Sequence, residues 1–265
     1  MRTLQAAGIR CAAGECEIEA RRLNEAYFKW VHAGTPFVTL KYAMTADGKI
    51  ATRGGSSFWV SGLEARQRVA QLRSMVDAVL VGVGTVLADD PQLTARPGEV
   101  GLPVAGPVHQ PLRVVLDSTA RTPTIAKVLG GAARTIICTT ERAAADRRAA
   151  LEAKGAEVLV LDEREGRVDV GAALRALGDR GVISVLSEAG GTVAWSLLEA
   201  GAVDKVLAFI APKLVGGREA LSPIGGLGLD RMDCAVELAT PEWTVLGRDV
   251  LLTAYVEPLS QVRQG

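Results

Sequence analysis

VISVLSEAGGTVAWSLLEAGAVDKVLAFI (182–210) contains a complete strand–turn–helix–strand unit. Val182–Leu186 is an apolar run with the length of a buried strand, too short for a helix. Glu188-Ala189-Gly190-Gly191-Thr192 turns into a helix, and Gly201 stops it. Val203–Ile210 reads as the next strand. Strands alternating with helices in this way argue for an α/β sheet, largely parallel.

The same alternation extends upstream. Asp77–Val81 (DAVLV) is a short buried strand ending at Gly82-Val83-Gly84. Leu112–Leu116 and Arg134–Cys138 are strands, and a helix runs from about Thr140 to Gly155. Glu157–Leu161 is a strand, and Val170, Ala173, Leu174 and Leu177 mark a helix that ends at Gly178. Nearer the N-terminus, residues 15–30 read as one helix with Ile18, Leu23, Ala26, Tyr27 and Trp30 on one face. Gly34-Thr35-Pro36 breaks it, and Phe37–Ala43 is the first strand. Ser61-Gly62-Leu63-Glu64 fits a capping box before a helix carrying Ala65, Val69, Leu72 and Val76. Four prolines make 96–111 a surface excursion, and 216–228 is a glycine-rich loop. Ala235–Val256 alternates as two or three antiparallel strands. The expectation is a mixed, mainly parallel sheet flanked by helices, with an antiparallel C-terminal end.

Composition excludes several functions. Thirty basic residues balance thirty acidic ones, so the basic excess of a nucleic-acid binder is missing. Apolar runs such as Val206–Pro212 are too short to span a bilayer, and the N-terminus has no apolar signal segment. Cys11, Cys16, Cys138 and Cys234 lack zinc-ligand spacing. The chain reads as a cytoplasmic protein with free thiols and no metal.

Ligands of open α/β sheets bind outside the carboxyl ends of the strands. Two turns there are glycine-rich, Gly82-Val83-Gly84-Thr85 and Gly190-Gly191-Thr192. Neither is a dinucleotide fingerprint, since Leu87 stands where a third glycine belongs. Each alone reads equally as a tight turn; two after neighbouring strands point to a split nucleotide site. His32 and His109 are the only histidines, and both lie in loop sequence, so acid–base work falls to carboxylates or lysine. Three ionisable positions stand out. Lys41 interrupts an apolar strand and reads as a site residue or as an edge-strand lysine facing water. Asp89-Asp90-Pro91 reads as paired carboxylates after a glycine turn or as a helix terminator. Glu188 lies between strand and glycine turn, as a site residue or a solvated loop charge. Arg142, after a strand and at a helix start, is a candidate for a cofactor 2′-phosphate or a solvated helix arginine. These residues alone indicate a nucleotide-binding α/β enzyme and leave its reaction open.

Six stretches carry a more specific signal: PFVTLKYAMTADGKIA (36–51), GGSSFWVSGLEAR (54–66), DAVLVGVGTVLADDPQLTAR (77–96), PLRVVLDS (111–118), SEAGGTVAWSLLEAGAVDKV (187–206) and APKLVGG (211–217). In this order they resemble the reductase domain of the bifunctional riboflavin biosynthesis deaminase–reductase. The resemblance implies a dihydrofolate-reductase-like fold over 35–258. It implies reduction by NADPH of the ribosyl group of 5-amino-6-(5-phosphoribosylamino)uracil, or of its 2,5-diamino counterpart, to a ribityl group. Residues 1–34 look like the helical segment joining the family's deaminase to its reductase, and the deaminase motifs are missing. A homodimer binding a small phosphorylated pyrimidine, with a separate or removed deaminase domain, is the implied assembly.

By the same resemblance, Ala43, Trp59, Ser61, Thr85, Asp89, Ser118 and the run Gly190, Gly191, Thr192, Val193, Ala194, Trp195 and Ser196 match positions lining the NADPH site. Ser57, Arg73, Leu93, Arg96 and Glu188 match positions holding the ribose phosphate. Lys41, Asp89 and Glu188 match ionisable groups around the reacting ribose, with acid and base unassigned. Arg73 and Arg96 suit a phosphate clamp, which an unphosphorylated dihydropteridine substrate would not need. A non-catalytic nucleotide-binding protein is the reading from another class.

Overall fold

The computed structural model describes residues 1–257, so residue 258, the expected end of the reductase domain, lies outside the described residues. Three short helices open the chain: α1 (Arg2–Ala6), α2 (Glu17–Leu23) and α3 (Glu25–Ala33). Then follow β1 (Phe37–Thr45), α4 (Leu63–Met75), β2 (Ala78–Gly82), α5 (Val83–Asp89), β3 (Leu112–Leu116), β4 (Thr135–Thr139), α6 (Ala145–Glu152) and β5 (Glu157–Val160). A hairpin, β6 (Glu163–Arg164) and β7 (Arg167–Val168), precedes α7 (Val170–Gly178), β8 (Ser184–Ser187), α8 (Gly191–Glu199), β9 (Lys205–Ala211), β10 (Leu238–Leu246) and β11 (Asp249–Val256).

The main sheet has the order β10-β11-β9-β1-β8-β2-β3-β4-β5. Strands β9 through β5 run parallel, and β11 and β10 add an antiparallel end. The mixed, mainly parallel architecture read from the sequence is therefore present. Helices cover both faces. Ala173, Leu174 and Leu177 of α7 and Ala194 and Leu197 of α8 pack on Val38, Leu40, Leu80 and Val114. Val86 of α5 and Leu151 of α6 pack with Val79, Val81, Val115 and Ile137 on the other side. Burial on both faces explains why all of AVLVG in β2 is buried, with no polar alternation. The β2 and β8 ends meet directly: Leu80 pairs with Ser187, and the Glu188 N–H donates to the Leu80 carbonyl at 2.9 Å.

Four local expectations need correction. The helix over 15–30 is two helices, parted at Asn24, whose side-chain amide donates to the Ala20 carbonyl at 2.9 Å. Its supposed inner face is outward, with Ile18 70%, Leu23 86% and Tyr27 52% exposed. The segment is tied down instead by Trp30 Nε1 donating to the Gly178 carbonyl at 3.0 Å and by Lys29 Nζ on Asp204 at 2.6 Å. Ser61 forms no capping box: α4 is capped by Gly62, whose N–H donates to Asp249 Oδ2 at 2.6 Å. A carboxylate distant in sequence thus accepts from the N-cap N–H, the part the box gives to the local glutamate. The α6 helix starts at Ala145 rather than Thr140, because Thr140 Oγ1 donates to the Ser118 carbonyl at 2.9 Å and holds the turn non-helical. Lys41, finally, lies on an interior strand flanked by β9 and β8, so the edge-strand reading fails.

Candidate active site

The carboxyl ends of β8 and β2, the middle of β1 and the last turn of α4 converge on Glu188. Arg73, in that last turn, donates from Nε to Glu188 Oε1 at 2.6 Å and from Nη2 to Oε2 at 3.0 Å, a two-pronged ion pair. Arg73 Nη1 donates to the Thr94 carbonyl at 3.3 Å. Lys41 Nζ reaches Glu188 Oε2 from β1 at 3.4 Å. The Glu188 side chain is only 10% exposed. Burial by itself pushes its carboxyl up, but the Arg73 and Lys41 charges outweigh burial and hold it at about 2. Glu188 is therefore a carboxylate at any physiological pH.

This triad forms one wall of a cavity of about 250 Å³. Ser61, Arg66, Thr94, Arg96 and Glu99 also line it. Arg66 lies over the ring of Trp59, its guanidinium carbon 3.8 Å from the ring centroid. Trp59 is 60% exposed, so it is no core tryptophan. Its backbone has φ 62, and its carbonyl accepts from Lys213 Nζ.

A second, uncharged region adjoins the triad. Gly190 caps α8 with no side-chain hydrogen bond, and of the first-turn N–H groups Val193 donates to the Gly190 carbonyl at 3.1 Å, so those of Gly191 and Thr192 are the ones an anion would meet. A Cβ built on Gly190 would meet nothing nearer than Thr85 Oγ1 at 3.9 Å, so the two glycine turns share one open space. Gly82 closes its back, since a Cβ there would sit 2.9 Å from Val193 Cγ2. Gly191 faces away: its Cβ would be 2.9 Å from both Gly225 N and the Ser222 carbonyl. Trp195 packs on Gly226 of the same glycine-rich loop, and Ala194 is fully buried. Of the run 190–196, Gly190 and Thr192 thus remain most open to a ligand, while Gly191, Ala194 and Trp195 hold the loop and core. An uncapped helix start beside a glycine with space around it fits a dinucleotide pyrophosphate.

The sequence candidates separate into groups. Lys41, Arg73 and Glu188 come together, and Arg96 and Ser61 face the same cavity. Asp89 does not join the triad; it is exposed at the end of α5 and accepts from Ser57 Oγ at 3.1 Å. Leu93 is 2% exposed with φ 56, so a ligand would meet its backbone region rather than its side chain. Ala43 is half-buried in β1 opposite Phe209. Ser118 Oγ accepts from the Val168 N–H at 3.0 Å, fastening β7 over the end of β3. Arg142 Nη1 donates to the Gly166 carbonyl at 2.8 Å and clasps that hairpin.

Arg66, Thr94 and Glu99 were not among the sequence candidates. Arg66 was findable, since seven residues from Arg73 on one helix place both on one face. Thr94 sits in irregular chain after α5 and Glu99 in a single 3-10 turn over Pro97–Val100, and neither carries such a signal. Among the described residues no group of His, Cys, Asp or Glu could hold a metal ion, and no helix is long and apolar enough to cross a membrane.

Comparison with known proteins places the chain in a family. The family described as "RibD C-terminal domain" matches residues 36–252. A riboflavin biosynthesis protein RibD from Actinobacillus pleuropneumoniae is 41% identical over 254 residues, which is 94% of this chain and 64% of that protein. The chain thus spans less than two thirds of that relative. A 2,5-diamino-6-ribosylamino-4(3H)-pyrimidinone 5′-phosphate reductase from Methanothermobacter thermautotrophicus is 44% identical over 217 residues, 82% of this chain and 96% of the relative. Among solved structures, Acinetobacter baumannii RibD superposes with TM-score 0.82 at 30% identity, over 97% of this chain and 68% of that one.

Proposed function

The chain belongs to the RibD C-terminal domain family, and from that premise we propose that it is an oxidoreductase of riboflavin biosynthesis. It uses NADPH to reduce the ribosyl group of 5-amino-6-(5-phosphoribosylamino)uracil, or its 2,5-diamino pyrimidinone counterpart, to a ribityl group. The observation that carries this reading is the position of Glu188, a carboxylate ionised at physiological pH between a cation-lined cavity and a glycine turn with open space at Gly190.

The cavity takes the phosphorylated sugar. The Gly190–Thr192 turn takes the pyrophosphate of NADPH, with Thr85 and the exposed face of Trp59 along the remainder. NADPH supplies the hydride, which the substrate receives at C1′ once its furanose has opened. Opening leaves a cationic iminium at C1′, and a fixed carboxylate stabilises that charge. Glu188 has this role: an ionised group cannot donate a proton, and its geometry is locked by Arg73. Lys41 Nζ lines the same cavity and is the proton donor we assign to the departing ring oxygen. Asp89, exposed and held by Ser57 Oγ, positions ligand rather than moving protons.

The cavity's cations favour a phosphorylated substrate over a dihydropteridine. We place the enzyme in the cytoplasm. A homodimer is supported by exposed apolar side chains at the antiparallel end of the sheet and the loop before it, including Leu227, Met232, Trp243 and Val245. The test is consumption of NADPH with the deaminated and aminated ribosylaminopyrimidine phosphates, side by side. Turnover of one or both is expected. NADPH binding without turnover of either would leave a nucleotide-binding protein and overturn the assignment.

A further inference from the structure

Two of the quoted stretches, PFVTLKYAMTADGKIA (36–51) and APKLVGG (211–217), meet at a place the proposed reaction does not use. Thr45–Lys49 is a tight turn. The Gly48 N–H donates to the Thr45 carbonyl at 2.9 Å, with φ 74 at Gly48, and the Thr45 N–H donates to the Lys49 carbonyl at 2.8 Å. The turn aims Asp47 at the chain leaving β9. Asp47 Oδ1 accepts from the Thr45 hydroxyl at 2.6 Å and from the Val215 N–H at 3.1 Å, and Oδ2 accepts from the Gly216 N–H at 2.6 Å. The Thr45 hydroxyl, and after it the Gly216 N–H, hold this exposed carboxyl at about 2, so it is an ionised acceptor.

The chain held there forms a strap, residues 213–226. The Ala46 N–H donates to the Lys213 carbonyl at 2.9 Å, the Ile50 N–H to the Leu221 carbonyl at 2.8 Å, and Lys49 Nζ to the Ala220 carbonyl at 3.1 Å. From the same strap Lys213 Nζ donates to the Trp59 carbonyl. At its other end the Gly225 N–H donates to the Gly191 carbonyl at 3.0 Å. Gly226, with φ 75, lies so close to Trp195 that a Cβ there would overlap the ring. One length of chain thus touches both sides of the proposed cofactor region, Trp59 on one and the start of α8 on the other. Within it only Ala220 is buried. Hydrogen bonds rather than apolar packing therefore set its path, and a segment held in that way opens easily when one anchor is lost.

We propose that Asp47 is a positioning residue: it latches the strap, and through the strap it sets Trp59 and the Gly190–Thr192 turn against the cofactor. The effect on the cofactor rests on the proposed use of NADPH, whereas the latch itself is open to test on the free protein. A carboxylate suits the place because a hydroxyl and two successive N–H groups converge on it, and its two oxygens accept from all three. Asparagine keeps one oxygen for the N–H groups, and its amide can donate to Thr45 Oγ1, so it retains part of the latch. Alanine retains none of it.

The test compares the whole protein with Asp47→Ala and Asp47→Asn. Hydrogen exchange resolved by peptide, without ligand, reads the latch. NADPH titration by tryptophan fluorescence, with KM and kcat, reads the cofactor. Urea midpoints should stay at the parent value, since the clasp is exposed. In Asp47→Ala we expect faster exchange over 213–226, around Trp59 and over 190–193. A strap seated in about a tenth of the molecules weakens NADPH about tenfold. KM for NADPH should rise accordingly, while kcat at saturating NADPH stays near the parent value. Asp47→Asn should recover part of both losses. Unchanged exchange in Asp47→Ala overturns the latch. Faster exchange with undiminished NADPH affinity overturns its positioning role, and so does a urea midpoint that falls in step with affinity in both variants. A parent protein that binds no NADPH overturns the proposed cofactor instead, and exchange then decides the latch alone.

Discussion

At the end of β8 the Glu188 carboxylate is gripped on three sides, by two donors of Arg73 and by Lys41. Two residues further on, at Gly190, nothing stands within 3.9 Å of where a side chain would begin. One region is made of charges and must be balanced internally before any ligand arrives. The other is made of missing atoms and is completed only by a ligand. They therefore fail differently. Damage to the first is expected to appear in the stability of the free protein as well as in turnover. Damage to the second should leave the fold intact and appear only in binding.

Removing the counter-ion is the most severe way to break this contrast. Arg73→Met strands a buried carboxylate, and loss of one partner of such a pair costs about 3–5 kcal/mol. Urea unfolding should show that loss, and most of it should return in Arg73→Met with Glu188→Gln, where no charge is stranded. A loss under about 1 kcal/mol would mean the pair behaves as a surface one. The pH dependence follows with a definite sign. Glu188 has its carboxyl lowered in the folded protein from 4.5 to about 2. The stability it contributes is fully present above the unfolded value and is lost as pH falls through the folded one. In Arg73→Met the folded value rises, so that acid-side loss of stability should disappear from this window.

Glu188→Gln probes the chemistry at the same place. We expect hydride transfer in a single turnover, followed by loss of NADPH absorbance, to fall at least about a hundredfold, on the scale of lost electrostatic help. NADPH affinity should be kept. Transfer at the parent rate would reduce Glu188 to a ligand of the sugar and move the chemistry to Lys41.

Gly190→Val tests the neutral region. The chain has room for the new side chain, so urea stability should hold, while NADPH affinity should fall about tenfold, or 1.4 kcal/mol. Gly191→Ala is the opposite case, because its Cβ would press on Gly225 and Ser222 at 2.9 Å. It should lower stability first. If both glycines lose NADPH equally with their folds intact, the division between an open and a packed glycine is wrong.

The smallest effect is expected at the far end of the cofactor region. Arg142 is exposed, and its clasp on Gly166 leaves donors over. Arg142→Ala should narrow the NADPH preference over NADH by less than about tenfold, the range of an exposed ion pair. An unchanged ratio of kcat/KM for the two cofactors would leave Arg142 as a hairpin clasp alone.

Strand and helix identity was legible because β2 is a continuous apolar run, β3, β8 and β9 are short and mostly apolar, and α7 carries its period in Val170, Ala173, Leu174 and Leu177. The pairing of the two glycine turns was legible for the same reason, since each directly follows such a strand. What misled was local chemistry that a distant partner replaced. Ser61 and Glu64 had the right spacing for a capping box, and Asp249 took the glutamate's part at Gly62. Asn24 looked like one more helical residue, and its side chain ended the helix.

The sequence by itself determined the kind of protein: a parallel α/β sheet, glycine turns at its carboxyl ends, and an inventory of Lys41, Arg73, Arg96, Asp89 and Glu188 with no histidine at hand. Hydrophobic period and backbone freedom are properties of short stretches, so they can be read along the chain. Tertiary structure alone decided which charges would meet. Lys41, Arg73 and Glu188 span 147 positions, and only the crossing of β1, α4 and β8 brings them within one carboxylate's reach. It also decided that Arg73 is consumed in that meeting while Arg66 lies against the Trp59 ring. An ion pair depends on distance in space and on exclusion of water, and neither is written in the spacing of residues along a chain.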